Sequence, residues 1–207
     1  MRRLGKDFEK KAVLSLDEAR LLGRIEDLYL DEALDKVVGL YMGSQGLLKR
    51  KSLFIPRDAV AVLGVDAILV ADGDVMTDDQ VVPAAKEWVR REKLVGRDVD
   101  TPGGTKLGVI GDVVIEDDGS ISAFALSKVY VDGPLAESRL VDRSAMLNPG
   151  QEDGRMTVDL SLLEKSLTGV TLPDTPAADD VIKTPAAETS MAAPLQVEVQ
   201  EESSTTE

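Results

Sequence analysis

Apolar residues in this chain alternate with polar ones and do not recur at helical spacing. In LGRIEDLYLD (22–31), Ile25, Leu28 and Leu30 sit beside Arg24, Asp27 and Tyr29. In LGVIGDVVIE (107–116), Ile110, Val113 and Ile115 take the same places, and Leu107, Gly108 and Asp112 repeat Leu22, Gly23 and Asp27. Alternation interrupted by Gly or Asp predicts half-buried strands, with Gly23 and Gly108 at bulges or sharp bends. The order repeats downstream. Acidic turns at 31–35 and 117–120, the second a hairpin signal, precede strands at 37–42 (VVGLYM) and 121–127 (ISAFALS). SLFIPRDAV (52–60) then answers SRLVDRSAM (138–146), and AILV (67–70) answers RMTV (155–158).

Ahead of each LG motif lies a further match, Leu4-Gly5-Lys6-Asp7 with Val95-Gly96-Arg97-Asp98. The first copy carries the longer loop. In it SLDEARL (15–21) predicts one helical turn after Ser15, with Asp17 and Glu18 near its start. Two copies predict two small β-domains, 1–75 and 94–167, and not a solenoid. Each domain alone is small enough to be marginally stable. Residues 76–93 form a linker, with a short helix predicted from near Pro83. Trp88, the only Trp, either plugs the seam between the domains or packs on one of them. From Thr168 onward come four prolines and eight acids against one base, Lys183. Residues 168–207 are therefore expected to be a disordered acidic tail, with Leu195–Val199 an alternating stretch suited to pairing with a strand edge.

The whole order is Gly-basic-Asp, a strand, Leu-Gly-x-Ile-x-Asp, an acidic turn, a strand, then an Arg segment ending on Ala-Val or Ala-Met. In that order the chain resembles the PRC-barrel domain. This domain is shared by the cytoplasmic part of the photosynthetic reaction-centre H subunit and the C-terminal half of the bacterial ribosome maturation factor. The resemblance covers about 1–71 and 94–159. FIPRDAV (54–60) fits it well, while LVDRSAM (140–146) has Asp142 in place of Pro56. The resemblance implies an all-β chain of two tandem small PRC-type β-barrels with short helical segments and a disordered C-terminal tail. It implies docking or assembly on larger complexes and does not imply catalysis. The membrane-spanning helix of the one relative and the different N-terminal domain of the other have no match in this sequence, so neither function carries over whole.

Composition narrows the chemistry. The 207 residues include no cysteine and no histidine, which removes thiol chemistry and the commonest general base and metal ligand. Ser127-Lys128 and Lys51-Ser52 are strand neighbours that point to opposite faces, so neither makes a Ser-Lys dyad. TPGGTKLG (101–108) lacks the phosphate-loop pattern and predicts a hairpin turn. The acidic turns carry oxygen ligands but not the EF-hand spacing; solvated turns are expected there, and backbone N–H acceptance at Asp27 and Asp112. No catalytic residue, cofactor or metal is expected. The net charge of −14, half of it in the tail, argues against direct nucleic-acid binding. The basic N-terminus has no apolar signal region. The longest apolar run, 59–71, contains Asp66 and is too short to cross a bilayer. No transmembrane segment and a cytoplasmic location are expected. Basic runs protect strand edges or meet a partner. On the second reading the partner-binding candidates are Lys49, Arg50, Lys51, Arg90 and Arg91, with Lys93 and Arg97 nearby. The expected function is a non-enzymatic docking or assembly module for a larger protein or ribonucleoprotein complex, with homo-oligomerisation left open. The alternative is a small-ligand or divalent-metal binding module, of a stress-related kind.

Overall fold

The computed structural model describes residues 1–46, 51–150 and 154–166. The expected tail, 168–207, lies outside them, as do Lys49 and Arg50. Strands dominate the described residues and the helices are short, so the chain is all-β in character. The first half contributes β1 (Arg3–Leu4), β2 (Ala12–Ser15), β3 (Leu21–Arg24), β4 (Asp27–Leu30), β5 (Val37–Gln45), β6 (Lys51–Pro56), β7 (Val60–Leu63) and β8 (Ala67–Val70). Two short strands follow, β9 (Thr77–Asp78) and β10 (Val89–Arg90). The second half contributes β11 (Asp98–Asp100), β12 (Lys106–Ile115), β13 (Ile121–Val129), β14 (Leu140–Asp142), β15 (Met146–Asn148) and β16 (Met156–Val158), with helices α1 (Pro134–Ser138) and α2 (Leu160–Ser166).

The halves repeat the same order of pairings, with the single strand β12 in the place of β3 and β4 together. β2·β3, β4·β5, β5·β6 and β7·β8 are antiparallel, and β2 runs parallel to β8. β11·β12, β12·β13, β13·β14, β15·β16 and parallel β11·β16 reproduce them. Alternation sets the faces: Val13, Ile68 and Val70 point inward at 0% exposure, as do Val99, Met156 and Val158. No sheet closes on itself among the described residues. β6 passes into β7 through the 3-10 turn Arg57–Ala59 without pairing with it.

The two halves exchange their leading segments. β1 pairs with β12, Arg3 opposite Ile115 and Leu4 opposite Val114. β10 pairs with β4, Val89 opposite Leu30 and Arg90 opposite Tyr29. Each leading strand runs into a 3-10 turn, Gly5–Phe8 or Arg91–Lys93. Beyond each turn, Lys10 and Lys11 bond both backbone groups of Ile25, as Gly96 and Arg97 bond those of Ile110. Lys10 and Gly96 both have positive φ, 63° and 90°. The structural match to Gly5 is therefore Arg91, and Lys10, not Gly5, matches Gly96. Reciprocal exchange is the arrangement that a twofold axis imposes. Near that axis the turn strands meet: Lys36 bridges Ser120, Val37 N–H donates to Gly119 O and Ile121 N–H to Asp35 O. One apolar cluster runs through both halves, from Phe8 and Leu34 to Ile115 and Leu163. Burying Phe8 and Leu94, the matched residues at the ends of the two turns, contributes on the order of 2–3 kcal/mol each.

Two local expectations change. Residues 81–94 form no continuous helix: a 3-10 turn at Pro83–Lys86 gives way to β10, because the open edge of β4 takes the backbone of Val89 and Arg90. Residues 16–18 form a turn, not a helical one, with Glu18 N–H donating to the Ser15 hydroxyl and the Asp17 carboxylate.

Candidate functional site

Where the halves cross, each repeated Asp receives the leading turn of the other half. Asp112 Oδ2 accepts from Lys6 N–H at 3.0 Å, and Asp27 Oδ2 from Glu92 N–H at 3.1 Å. The expected backbone acceptance is there, with donors from the opposite repeat. Arg91 lies between the two aspartates. It is 5% exposed, donates to Asp112 Oδ1 at 2.8 Å and to Glu9, and stands 3.4 Å from Asp27 Oδ1, in ion-pair range but outside hydrogen-bond geometry. Arg90 donates to Asp27 at 3.0 Å, pairs with Glu92 and stacks 3.7 Å above the Tyr41 ring. Burial pulls both guanidinium pKa values down, but the carboxylates outweigh it and hold them above the ordinary arginine value. Asp27 leads for Arg90 and Asp112 for Arg91. A buried charge that loses its partner costs about 3–5 kcal/mol, so this network ties the halves together.

The sequence-expected basic residues therefore separate. Arg91 is not at the surface: two buried carboxylates draw it inward. Arg90 is part of the same network and only partly exposed. Lys51 lies on β6, where its ammonium holds Asp78 of β9 at 3.0 Å. That hydrogen bond, followed by backbone donors, lowers the Asp78 pKa. Lys49 and Arg50 lie outside the described residues.

The acidic turns are docked as well as solvated. Arg143 donates to the Ala33 and Leu34 carbonyls and pairs with Asp35. Its match, Arg57, donates to the Asp118 carbonyl at 3.0 Å. Asp31 Oδ1 accepts from Asp35 and Lys36 N–H, so the turn carboxylates serve their own backbone. Among the described residues no group of three or more Asp or Glu is placed to hold a metal ion. The Ser127 hydroxyl donates to Val109 O, away from any nucleophilic partnership. Residues 101–105 form the expected hairpin turn.

Two surface features were not among the sequence candidates. One is a cleft of about 500 Å³ along the linker and the 148–150 loop. Lys86, Arg90, Lys93 and Arg97 line it against Glu32 and Glu87, and Trp88 forms part of its wall. Trp88 packs on Phe54 and Tyr29, ring centroids 5.2 and 5.8 Å away, so it belongs to the first half's aromatic cluster. An adjoining depression shares Lys93 and Arg97 and adds Arg155. The second feature is a row across the outer face of β3, β2, β8 and β7. Leu21 pairs with Leu14, Leu14 with Leu69, and Leu69 with Val62. Leu21 is 53% and Val62 47% exposed, with Leu16 beside them at 55%. At the matched positions the second half carries Lys106, Asp100, Thr157 and Asn148, joined by the same pairings. Arg155 covers Asp100 there at 2.6 Å. Matching the halves on their pairing, and not on Gly5 and Gly96, is the signal that separates the two rows.

No protein-family model matches the chain, and no curated protein matches it significantly. Among the described residues no helix is long and apolar enough to cross a membrane.

Proposed function

We propose that the protein is a non-enzymatic docking or assembly module, built as two tandem PRC-barrel-like units, acting on a larger protein or ribonucleoprotein complex. The observation that carries this reading is the apolar row Leu21–Leu14–Leu69–Val62. The same positions in the second half are polar, so the fold itself does not require apolar residues there. Exposed apolar surface kept at one of two equivalent sites marks a contact with another molecule. The partner is a protein presenting an apolar face of its own, and the run Lys49, Arg50 and Lys51 is a second, cationic contact. The resemblance to PRC-barrel proteins supports the same role.

The test exchanges Leu21→Lys and Val62→Asn, the residues the second half tolerates, in the full chain. Capture from the native cell should lose the dominant partner while circular dichroism and Tm stay unchanged. Retention of that partner by the variant would remove the sheet face from the reading. A second reading, a small-ligand binding module, is favoured by the cleft at Lys86–Arg97.

A further inference from the structure

The cleft is best understood from its counterpart in the other half. There the place is filled by the protein itself. Arg3 donates to the Gly64 carbonyl at 2.9 Å, lies 4.6 Å over the Phe8 ring and approaches Asp117 at 3.5 Å. Lys11 donates to the Gly64 and Val65 carbonyls. Burial, followed by the charge of Arg3, lowers the Lys11 pKa. In the second half Arg97 repeats Lys11, reaching the Pro149 and Gly150 carbonyls. But Val89 stands at the match to Arg3, opposite Leu30 as Arg3 is opposite Ile115. A side chain without a guanidinium leaves the space open.

The charge around the space is also changed. Arg90 matches Leu4, and Lys93 matches Asp7. At these two positions an apolar residue and an acid in the first half are matched by cations in the second, and Lys6 between them is matched by Glu92, which pairs with Arg90. Lys86 adds a third and Arg97 a fourth, with Glu32 and Glu87 opposing them. In a chain of net charge −14, this is a cationic cleft of ordinary ligand size.

We propose that this cleft binds a small molecule bearing two or more oxyanion groups, phosphate or carboxylate. Lys86 and Lys93 meet the charge and the Trp88 ring flanks it, while Arg90, held by Asp27 and Glu92, forms part of the wall. The inference is independent of the docking face on the first half's outer sheet.

Trp88 is the only tryptophan, so its emission comes from a single position on the wall of this cleft. The full-length protein is titrated with inorganic pyrophosphate and with citrate at constant ionic strength. A saturable change in Trp88 emission, together with a rise in Tm, is expected with at least one probe. Pyrophosphate alone would define phosphate as the ligand chemistry; citrate alone would define carboxylate. The pair Lys86→Glu and Lys93→Glu should weaken binding by about tenfold or more. Val89→Arg, which restores the filler of the first half, should abolish it. Lys128→Glu, an exposed change on β13, should bind as the parent does. Absence of a saturable response to either probe, or parent-like binding by both cleft variants, would overturn the proposal.

Discussion

Gly5 shows how much one residue carries. A Cβ built on it would lie 2.3 Å from Arg91 Cδ, 2.8 Å from Asp112 Oδ1 and 2.9 Å from Val113 Cγ2. The space is taken by the guanidinium stem and by the carboxylate it serves, both buried. Gly5→Ala should therefore destabilise the protein by about 1–3 kcal/mol in denaturant unfolding. Gly103→Ala, with only Thr101 Oγ1 within 4 Å, should lie near zero. The role of Asp27 and Asp112 was half legible. A lone Asp in an apolar strand must find donors, and backbone N–H groups are the commonest. Nothing in the sequence period says that those donors come from the opposite repeat, because contacts between distant segments leave no period. Arg91 was legible as a cation and not as a buried one, since burial depends on which carboxylates the fold brings to it.

At the scale of elements, the long strands β5, β12 and β13 were readable because each spans several alternations. β1 and β10 are two residues long, below any period, and β10 sits in a stretch whose charges suit a helix. The match between leading segments was also concealed. Its key position needs positive φ, which Gly favours, yet the first half has Lys10 there. Aligning glycine to glycine placed Gly5 against Gly96 and hid the Gly5–Arg91 correspondence. The edge strand β9 offers an element-scale test. Its Asp78 is held by Lys51, which keeps the folded carboxyl below its unfolded value. The stabilisation is present above the ordinary aspartate range and is lost as pH falls through the folded value, so the window lies below about pH 4. NMR titration should find Asp78 low in the parent and closer to ordinary in Lys51→Ala. An unmoved Asp78 would show that Lys51 does not hold the strand.

For the molecule as a whole, the exchange of β1 and β10 means that each half completes the other's sheet. Cleaving the backbone between Gly73 and Asp74 should leave both pieces bound together through size-exclusion chromatography. Residues 1–73 and 74–207 made separately should lack a cooperative melt and regain it on mixing. A cooperative melt from either piece alone would show two self-sufficient domains. The strand order was legible at this scale because it repeats along the chain, whereas the interlocking was not, because it is a relation between the copies.

The pairing of Gly5 with Arg91 has a consequence for any symmetric version of this fold. Were the fold assembled from two identical chains, these positions would hold the same amino acid. Two glycines would remove the one cation that faces both interior carboxylates. Two arginines would contend for a single space. Neither symmetric version could place one positive charge between two negative ones at its centre. A single chain that carries both copies frees the two positions from identity, and one arginine shared between the two aspartates is attainable only in that form.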